Sequence, residues 1–339
     1  MNKDFLLSSY DYPFDDSLIA KTPVYPRENA RLLIYFKESG EIKHTTFSDL
    51  IEHIPKDYSV ILNNTKVVRA RVFGKKESGG KVEILLNRHM KKNLYSVFIR
   101  GKVRVGSEIF VDSLTAKVEE LISDGSRIVS FWQNSDEVEF SKLLEVFERV
   151  GEMPLPPYIN RKATEKDEKD YQPIFAKNLG AVASPTASLH FSENMLKELK
   201  GRNRVEYLTL HVGAGTFKPV EVSDIREHKL HKEVFEISES AKEVLNSKSK
   251  ILAVGTTVTR TIEYFAKTGE TFGDADIFLH PNNRPQRVDA LLTNFHLPKS
   301  TLLMLVSSFI GIDEMQKIYA EAVKEKYRFY SYGDGMLII

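Results

Sequence analysis

The chain has 339 residues, with 48 Lys plus Arg against 47 Asp plus Glu, a formal charge of +1. A neutral total argues against a protein that coats nucleic acid by bulk charge, and 42% hydrophobic with 10% aromatic residues argues against disorder. The absence of cysteine excludes disulfide frameworks, thiolate nucleophiles, Cys-ligated zinc and iron–sulfur clusters, and the length suits about two domains.

The N-terminal stretch MNKDFLLSSYDYPFDD turns acidic after three apolar residues, too short for a secretory core. The most apolar stretch, 302–310, falls far below the ~20 residues of a membrane span, so a soluble, cytoplasmic protein with no membrane partner is expected. RLLIYF (31–36) reads as a strand within an α/β N-terminal part. Residues 58–132 read as short β-runs separated by turn signals such as Ser78-Gly79-Gly80 and Asp124-Gly125, the pattern of a small barrel or sandwich. The spacing of Phe140, Leu143, Leu144 and Phe147 predicts a helix over 139–149. MPLPPYINR (153–161) is extended because of its prolines, and a polar surface loop follows.

From about residue 174 the pattern changes. Strands at 205–212, 250–255 and 289–295 alternate with helices near 192–200, 239–247, 256–267, 300–310 and 313–326. The last helix has a start resembling a capping box, Asp313 with Gln316. The fold class is therefore mixed α/β. The main domain is expected to comprise 1–60 plus 150–339, with a small β-barrel domain inserted at 61–149, since a long insertion at a loop costs little. Between Lys66 and Arg104 stand twelve basic residues against Glu77 and Glu83, a surplus of ten. A basic barrel on an acidic body suggests a polyanion partner, although exposed strand faces also favour Lys and Arg.

Five polar segments in the C-terminal half are where chemistry can sit. ASPTASLHF (183–191) brings hydroxyls and His190, without a nucleophile elbow. LHVGAGTF (210–217) runs a strand through His211 into a loop whose Gly213 and Gly215 expose backbone N–H groups; a plain turn explains them as well. His228 and His231 in EHKLHKE have metal-ligand spacing but lack a third ligand, so no metal is expected. In VGTTVTRT, Thr256 and Thr257 open a helix with Arg260 one turn in, an anion site or ordinary capping. In RVDALLTNFHLPKS, a buried strand ends at Thr293, Asn294 and His296. Ligands bind at such carboxyl ends of α/β strands, and His296 could equally be a hydrogen-bonded core residue.

Taken in order with YPFDDSLIA, LNNTKVVRARVFGKKESGGKVEILL, GEMPLPPYINR, DYQPIFA and YRFYSYGDGMLI, these segments make the chain resemble the S-adenosylmethionine:tRNA ribosyltransferase-isomerases of queuosine biosynthesis. Ser188, Asn64 and HPNNRPQR (280–287) depart from the usual family pattern. The resemblance implies an α/β domain with an inserted barrel. It implies an enzyme that transfers and isomerises the ribosyl part of S-adenosylmethionine onto 7-aminomethyl-7-deazaguanine at the tRNA wobble position, giving epoxyqueuosine and releasing adenine and methionine. S-adenosylmethionine is then a consumed co-substrate, no cofactor is expected, and the partner is a tRNA with a GUN anticodon; a monomer is expected.

The reaction needs proton transfer at C5′ and at adenine. The candidates are His190, His211, His228, His231 and His296. Arg260 with Thr256 and Thr257 would hold the methionine carboxylate. Thr186, Gly213, Gly215, Thr293 and Asn294 complete the substrate-binding set, and Lys75, Lys76, Lys91 and Lys92 would grip the tRNA. The rival classes are an RNA methyltransferase using the same donor and a non-catalytic RNA-binding module.

Overall fold

The computed structural model describes residues 2–217, 219–230 and 232–339. The chain lays down β1 (Arg31–Phe36), β2 (Glu41–Thr46), β3 (Tyr58–Asn63) and the short β4 (Thr65–Val67). Seven antiparallel strands follow: β5 (Arg71–Lys76), β6 (Lys81–Lys91), β7 (Leu94–Arg100), β8 (Glu108–Val111), β9 (Leu114–Leu121), β10 (Arg127–Gln133) and β11 (Asp136–Glu137). Helices α1 (Phe140–Val150) and α2 (Asp167–Asp170) lead to β12 (Asn178–Ala181), α3 (Glu193–Arg202), β13 (Val205–Leu210) and β14 (Glu233–Ile237). The remainder is α4 (Glu239–Leu245), β15 (Lys250–Val254), α5 (Thr256–Thr268), β16 (Phe272–Ala275), β17 (Ala290–Asn294), α6 (Thr301–Ile310), α7 (Ile312–Lys324) and β18 (Gly335–Ile338).

Nine strands form one sheet in the order β16-β14-β13-β3-β15-β17-β18-β1-β2. The middle four, β13, β3, β15 and β17, run parallel. Parallel strands covered on both faces should be almost continuously apolar, and every residue of β3 is buried. Alternation sends Val60, Leu62 and Val254 to one face, against Met195 and Leu199 of α3. Ile61 and Ala253 go to the other, against Val258 and Ile262 of α5. Serine hydroxyls cap three of the helices: Ser192 accepts from Met195 N, Ser238 from Ala241 N and Ser300 from Leu303 N.

The insertion is a closed barrel. Strands β5, β6, β7, β10, β9 and β8 pair around the ring, with β11 a short addition to β10. Its core, including Val72, Ile84, Val97, Ile109 and Phe131, also takes Leu143 and Phe147 of α1 and Val182 and Ala214 of the α/β body. The barrel is thus packed onto the sheet domain. The mixed α/β fold with an inserted barrel agrees with the sequence reading.

Several local expectations differ. The run 58–62 belongs to the centre of the large sheet, because its two-sided apolar pattern suits a parallel core strand better than a barrel strand. The run 66–73 divides between β4 and β5, since β4 pairs with β12 instead of joining the barrel. Within 153–161, Pro157–Ile159 forms one turn of 3-10 helix. The capping box does not form: α7 starts behind Gly311 (φ 84°) with no side-chain cap. Gln316 instead donates to the carbonyls of Ser9 and Asp11, at 3.0 and 2.7 Å, and Asp313 pairs with Lys3 at 2.7 Å.

Candidate active site at the carboxyl ends of the parallel strands

Because β13, β15 and β17 run the same way, the loops after all three open on one edge of the sheet. A cavity of about 390 Å³ lies there, within the range of small-molecule sites. Val212 enters it from the β13 loop, Gly255, Thr256 and Thr257 from the start of α5, and Thr293, Asn294 and His296 from the end of β17. Ser184 and Thr186, Tyr158 and Tyr171, Lys299 and Tyr330 complete its polar and aromatic lining.

Gly255 permits the sharp entry to α5: its φ of 99° suits glycine. No side chain caps this helix, so its first N–H groups are left to solvent or a ligand. The Thr257 Oγ1 and Ser184 Oγ atoms are buried beside the cavity without a hydrogen-bond partner among the described residues. Unmet buried hydroxyls cost stability unless something else satisfies them. The arrangement suits an anionic or polar ligand group at the α5 start.

His296 is buried, and its Nε2 hydrogen-bonds the Thr293 hydroxyl at 2.9 Å. Its backbone is pinned at both ends: the Tyr12 hydroxyl donates to its carbonyl, and its N–H donates to the Tyr319 oxygen at 3.1 Å. Burial pushes the imidazole down to about 3, so the ring is neutral near pH 7 and offers a proton acceptor. Burial also pushes the Tyr158, Tyr171 and Tyr330 phenols up, keeping them protonated. Lys299 pairs with Asp11 at 2.7 Å. No carboxylate lines the cavity among the described residues, which leaves the uncharged His296 imidazole as the nitrogen base facing it.

Tyr158 and Tyr330 stack at 3.7 Å with planes 22° apart, and Tyr158 shares a 2.6 Å hydrogen bond with Ser331. Tyr330 has φ 69°, a left-handed conformation costly for a bulky residue by roughly 1–2 kcal/mol. Its N–H donates to Phe295 at 3.1 Å and its carbonyl accepts from Gly333 at 2.9 Å, which holds it there. The result is a flat aromatic wall on the cavity.

Thr186 donates to Asn294 Oδ1 at 2.9 Å, and the Asn294 amide donates to His190 Nε2 at 3.1 Å. His190 lies behind this pair, stacked on Phe47 at 3.9 Å, outside the main cavity. Burial, then the Arg328 and Arg27 charges, push it down to about 3. It therefore positions Asn294 and does not face a ligand. Arg260 is also separate from the cavity. It pairs with buried Glu233 at 2.6 Å and donates to the Ile277 carbonyl, so its charge faces Glu233 and not the cavity, while its buried Nη2 has no hydrogen-bond partner among the described residues. His228 makes an edge contact with Phe278 away from either large cavity described here. His231 lies outside the described residues.

A second cavity of about 570 Å³ opens between the barrel and the sheet domain. Asn87, Arg88 and His89 of β6 line it from one side, and Gly180, His211, Gly213, Gly215, Lys232 and Glu233 from the other. The Gly215 N–H donates to Asn87 Oδ1 at 3.3 Å, and a Cβ on Gly213 would meet that oxygen at 3.0 Å. The glycines therefore serve the docking of barrel on sheet domain. His211 Nδ1 hydrogen-bonds Thr65 at 2.8 Å, and burial lowers its pKa. Gly180 is required beneath it: a Cβ there would lie 2.8 Å from the ring. The segment 211–213 runs between the two cavities, with Val212 lining the first and His211 and Gly213 the second.

The four barrel lysines do not make one patch. Lys91 and Lys92 form the β6–β7 hairpin tip beside the second cavity, whereas Lys75 and Lys76 end β5 at the opposite end of β6. The ten-residue separation along β6 corresponds to about 30 Å. Sequence reasoning missed Tyr158, Tyr330, Ser184 and Lys299 as cavity residues. Among the described residues no helix is long and apolar enough to cross a membrane, and no three His, Asp or Glu residues cluster as a metal site.

Comparison with known proteins bears on this geometry. The sequence model of a family described as queuosine biosynthesis protein matches residues 7–338. The chain is 56% identical over 333 residues to the S-adenosylmethionine:tRNA ribosyltransferase-isomerase of Aliarcobacter butzleri (strain RM4018), covering 98% of each chain. It is 55% identical over 334 residues to the protein of that name from Campylobacter concisus (strain 13826), again covering 98% of each. The crystal structure of S-adenosylmethionine tRNA ribosyltransferase from Thermotoga maritima aligns with a TM-score of 0.56 at 32% identity, covering 98% of this chain and 100% of that one.

Proposed function

The chain belongs to the queuosine biosynthesis protein family, and from that premise we propose that it is an S-adenosylmethionine:tRNA ribosyltransferase-isomerase. It transfers and isomerises the ribosyl moiety of S-adenosylmethionine onto 7-aminomethyl-7-deazaguanine at the wobble position of a tRNA with a GUN anticodon. The products are epoxyqueuosine-tRNA, adenine and methionine. The protein works as a cytoplasmic monomer with no resident cofactor or metal, S-adenosylmethionine being consumed.

The observation that carries the site assignment is the cavity at the carboxyl ends of β15 and β17, with one neutral imidazole and, among the described residues, three unmet hydroxyls, those of Tyr171, Ser184 and Thr257. S-adenosylmethionine occupies it. Its carboxylate meets the uncapped start of α5, Ser184 and Thr257. The Tyr158–Tyr330 wall receives its adenine ring or sulfonium, both of which favour an aromatic face. The sulfonium acidifies the C5′ protons, and His296 is placed to accept one. Asn294 and Thr186, backed by His190, orient the ribose. Departing adenine takes up a proton, for which the Lys299 ammonium and the phenols are the donors at hand.

The second cavity takes the modified base. The wobble nucleotide sits in a loop, so splaying it out costs only a few kcal/mol. His211, Gly180 and Asn87 then surround the base, and the segment 211–213 lies between it and the donor.

The test incubates protein, S-adenosylmethionine and tRNA bearing the aminomethyl-deazaguanine. Adenine and methionine should be released only when both substrates are present. Formation of S-adenosylhomocysteine without adenine would make the protein a methyltransferase and overturn the proposal.

A further inference from the structure

Barrel strands alternate inward and outward, and outward positions are ordinarily polar. On β5, Val72 and Gly74 point in, while Phe73 points out and is 52% exposed. On the neighbouring β8, Ile109 and Val111 point in, while Phe110 points out and is 45% exposed. Lys75 pairs directly with Phe110 in the ladder, so Phe73 and Phe110 are diagonal neighbours on one face. Gly74 keeps these strands close: a Cβ there would lie 2.7 Å from the Ile109 side chain and from the Phe110 carbonyl. The two rings border a shallow groove of about 750 Å³ that also includes Lys75, Lys81 and Arg100.

The charge in this groove is uncompensated. Its two acids are already neutralised, Glu83 by Arg71 at 3.2 Å and Asp112 by Arg149. Among the described residues, Lys75, Lys81 and Arg100 have no ion-pair partner. Exposed phenyl rings beside unpaired cations match the chemistry of a single-stranded nucleic acid, whose bases stack on aromatic faces while phosphates meet Lys and Arg. The substrate tRNA supplies both partners at once, base faces for the two rings and phosphates for the three cations.

We propose that the outer face of β5, β6, β7 and β8 is a stacking groove for unpaired nucleotides of the substrate tRNA, separate from the cavity that receives the wobble base. This rests on the reading that the barrel carries the tRNA. Lys81 in the groove and Asn87 in the second cavity lie six residues apart on β6, so the two sites are roughly 20 Å apart. The groove therefore holds nucleotides other than the one being modified, and adds affinity without touching the chemistry.

The experiment uses the full chain and full-length tRNA. Phe73→Ser and Phe110→Ser are each expected to weaken tRNA binding by about 5- to 150-fold, the range for one stacked base. The salt dependence of binding and the dissociation constant for S-adenosylmethionine should stay as in the parent. Phe73→Tyr and Phe110→Tyr retain a ring and should bind normally. Replacing Lys75, Lys81 and Arg100 by Ala should flatten the salt slope by roughly 0.7 per lost phosphate contact. Normal tRNA affinity in both Ser variants, with a flattened slope in the cation variant, would overturn the stacking groove while leaving the barrel as the tRNA carrier. Failure of every barrel substitution to alter tRNA binding, including those at Lys91 and Lys92, would overturn the underlying reading as well. A parent that is dimeric by light scattering, made monomeric by Phe73→Ser with unchanged tRNA affinity, would mean that the face binds another copy of the chain, and would also overturn the proposal.

Discussion

Replacing His296 by Asn separates its chemical part from its structural one. Burial holds the imidazole near pKa 3 in the folded protein, while the unfolded chain has the ordinary value near 6.5. Below pH 6.5 the unfolded chain binds a proton that the folded one refuses. The stabilising contribution is therefore complete above pH 6.5 and drains away as pH falls toward 3. Between pH 7.5 and 5 the loss amounts to roughly 2 kcal/mol for this one group. His190, also buried and near 3, adds a similar amount. Urea unfolding of the parent at the two pH values should show both contributions. His296→Asn should reduce the pH-dependent loss by about 2 kcal/mol.

At pH 7.5 the Asn amide can still bond Thr293, and the Tyr12 and Tyr319 contacts are to the backbone, so the melting temperature should move by only a few degrees. Turnover of S-adenosylmethionine should nevertheless fall by roughly 10²-fold or more, the usual scale of lost acid–base help. His190→Asn should flatten the stability profile equally but cost less rate, because His190 acts through Asn294. A His296→Asn variant with the parent's pH slope would mean that the folded imidazole is charged. One that turned over normally, or lost activity only as it unfolded, would return His296 to the core.

Ser184→Ala and Thr257→Val remove hydroxyls that have no hydrogen-bond partner among the described residues. Neither should lower the melting temperature, yet each should weaken S-adenosylmethionine binding about 5- to 10-fold, near 1 kcal/mol for a lost hydrogen bond; calorimetric titration and thermal unfolding together check this. Arg260→Met removes the 2.6 Å partner of the buried Glu233 carboxylate and should cost roughly 3–5 kcal/mol in urea unfolding. The same variant should leave the Michaelis constant for S-adenosylmethionine unmoved, and a raised constant at unchanged stability would reinstate Arg260 as a ligand residue. Reversing Lys91 and Lys92 to Glu should weaken tRNA binding and flatten its salt dependence. Reversing Lys75 and Lys76 should do so independently, since about 30 Å of β6 separates the pairs. A double reversal no worse than either pair alone would show that only one end of the barrel meets the RNA.

The alternation of strands and helices after residue 174 was legible because period-2 and period-3.6 patterns are local, and so were the helix limits set by serine caps at 192, 238 and 300. The meeting of Thr256 with His296 at the carboxyl edge also followed, given strands that run parallel, whereas Gly213, expected beside them, lines the second cavity. Long-range partners were not legible. Arg260 looked free because Glu233, 27 residues away, shows no sign of facing it. Gly215 looked like a ligand loop because Asn87 is 128 residues away on another domain. Tyr158 and Tyr330 each read alone as an ordinary core aromatic, and only folding stacks them. Charge content exposed the basic segment 66–104, but composition carries no geometry and could not place its lysines at opposite ends of the barrel. The errors fall on tertiary contacts between groups that are ambiguous alone. A charge or a glycine is available for function only if no distant partner has claimed it, and burial with a known partner is what separates Arg260 from Thr257 on the same helix.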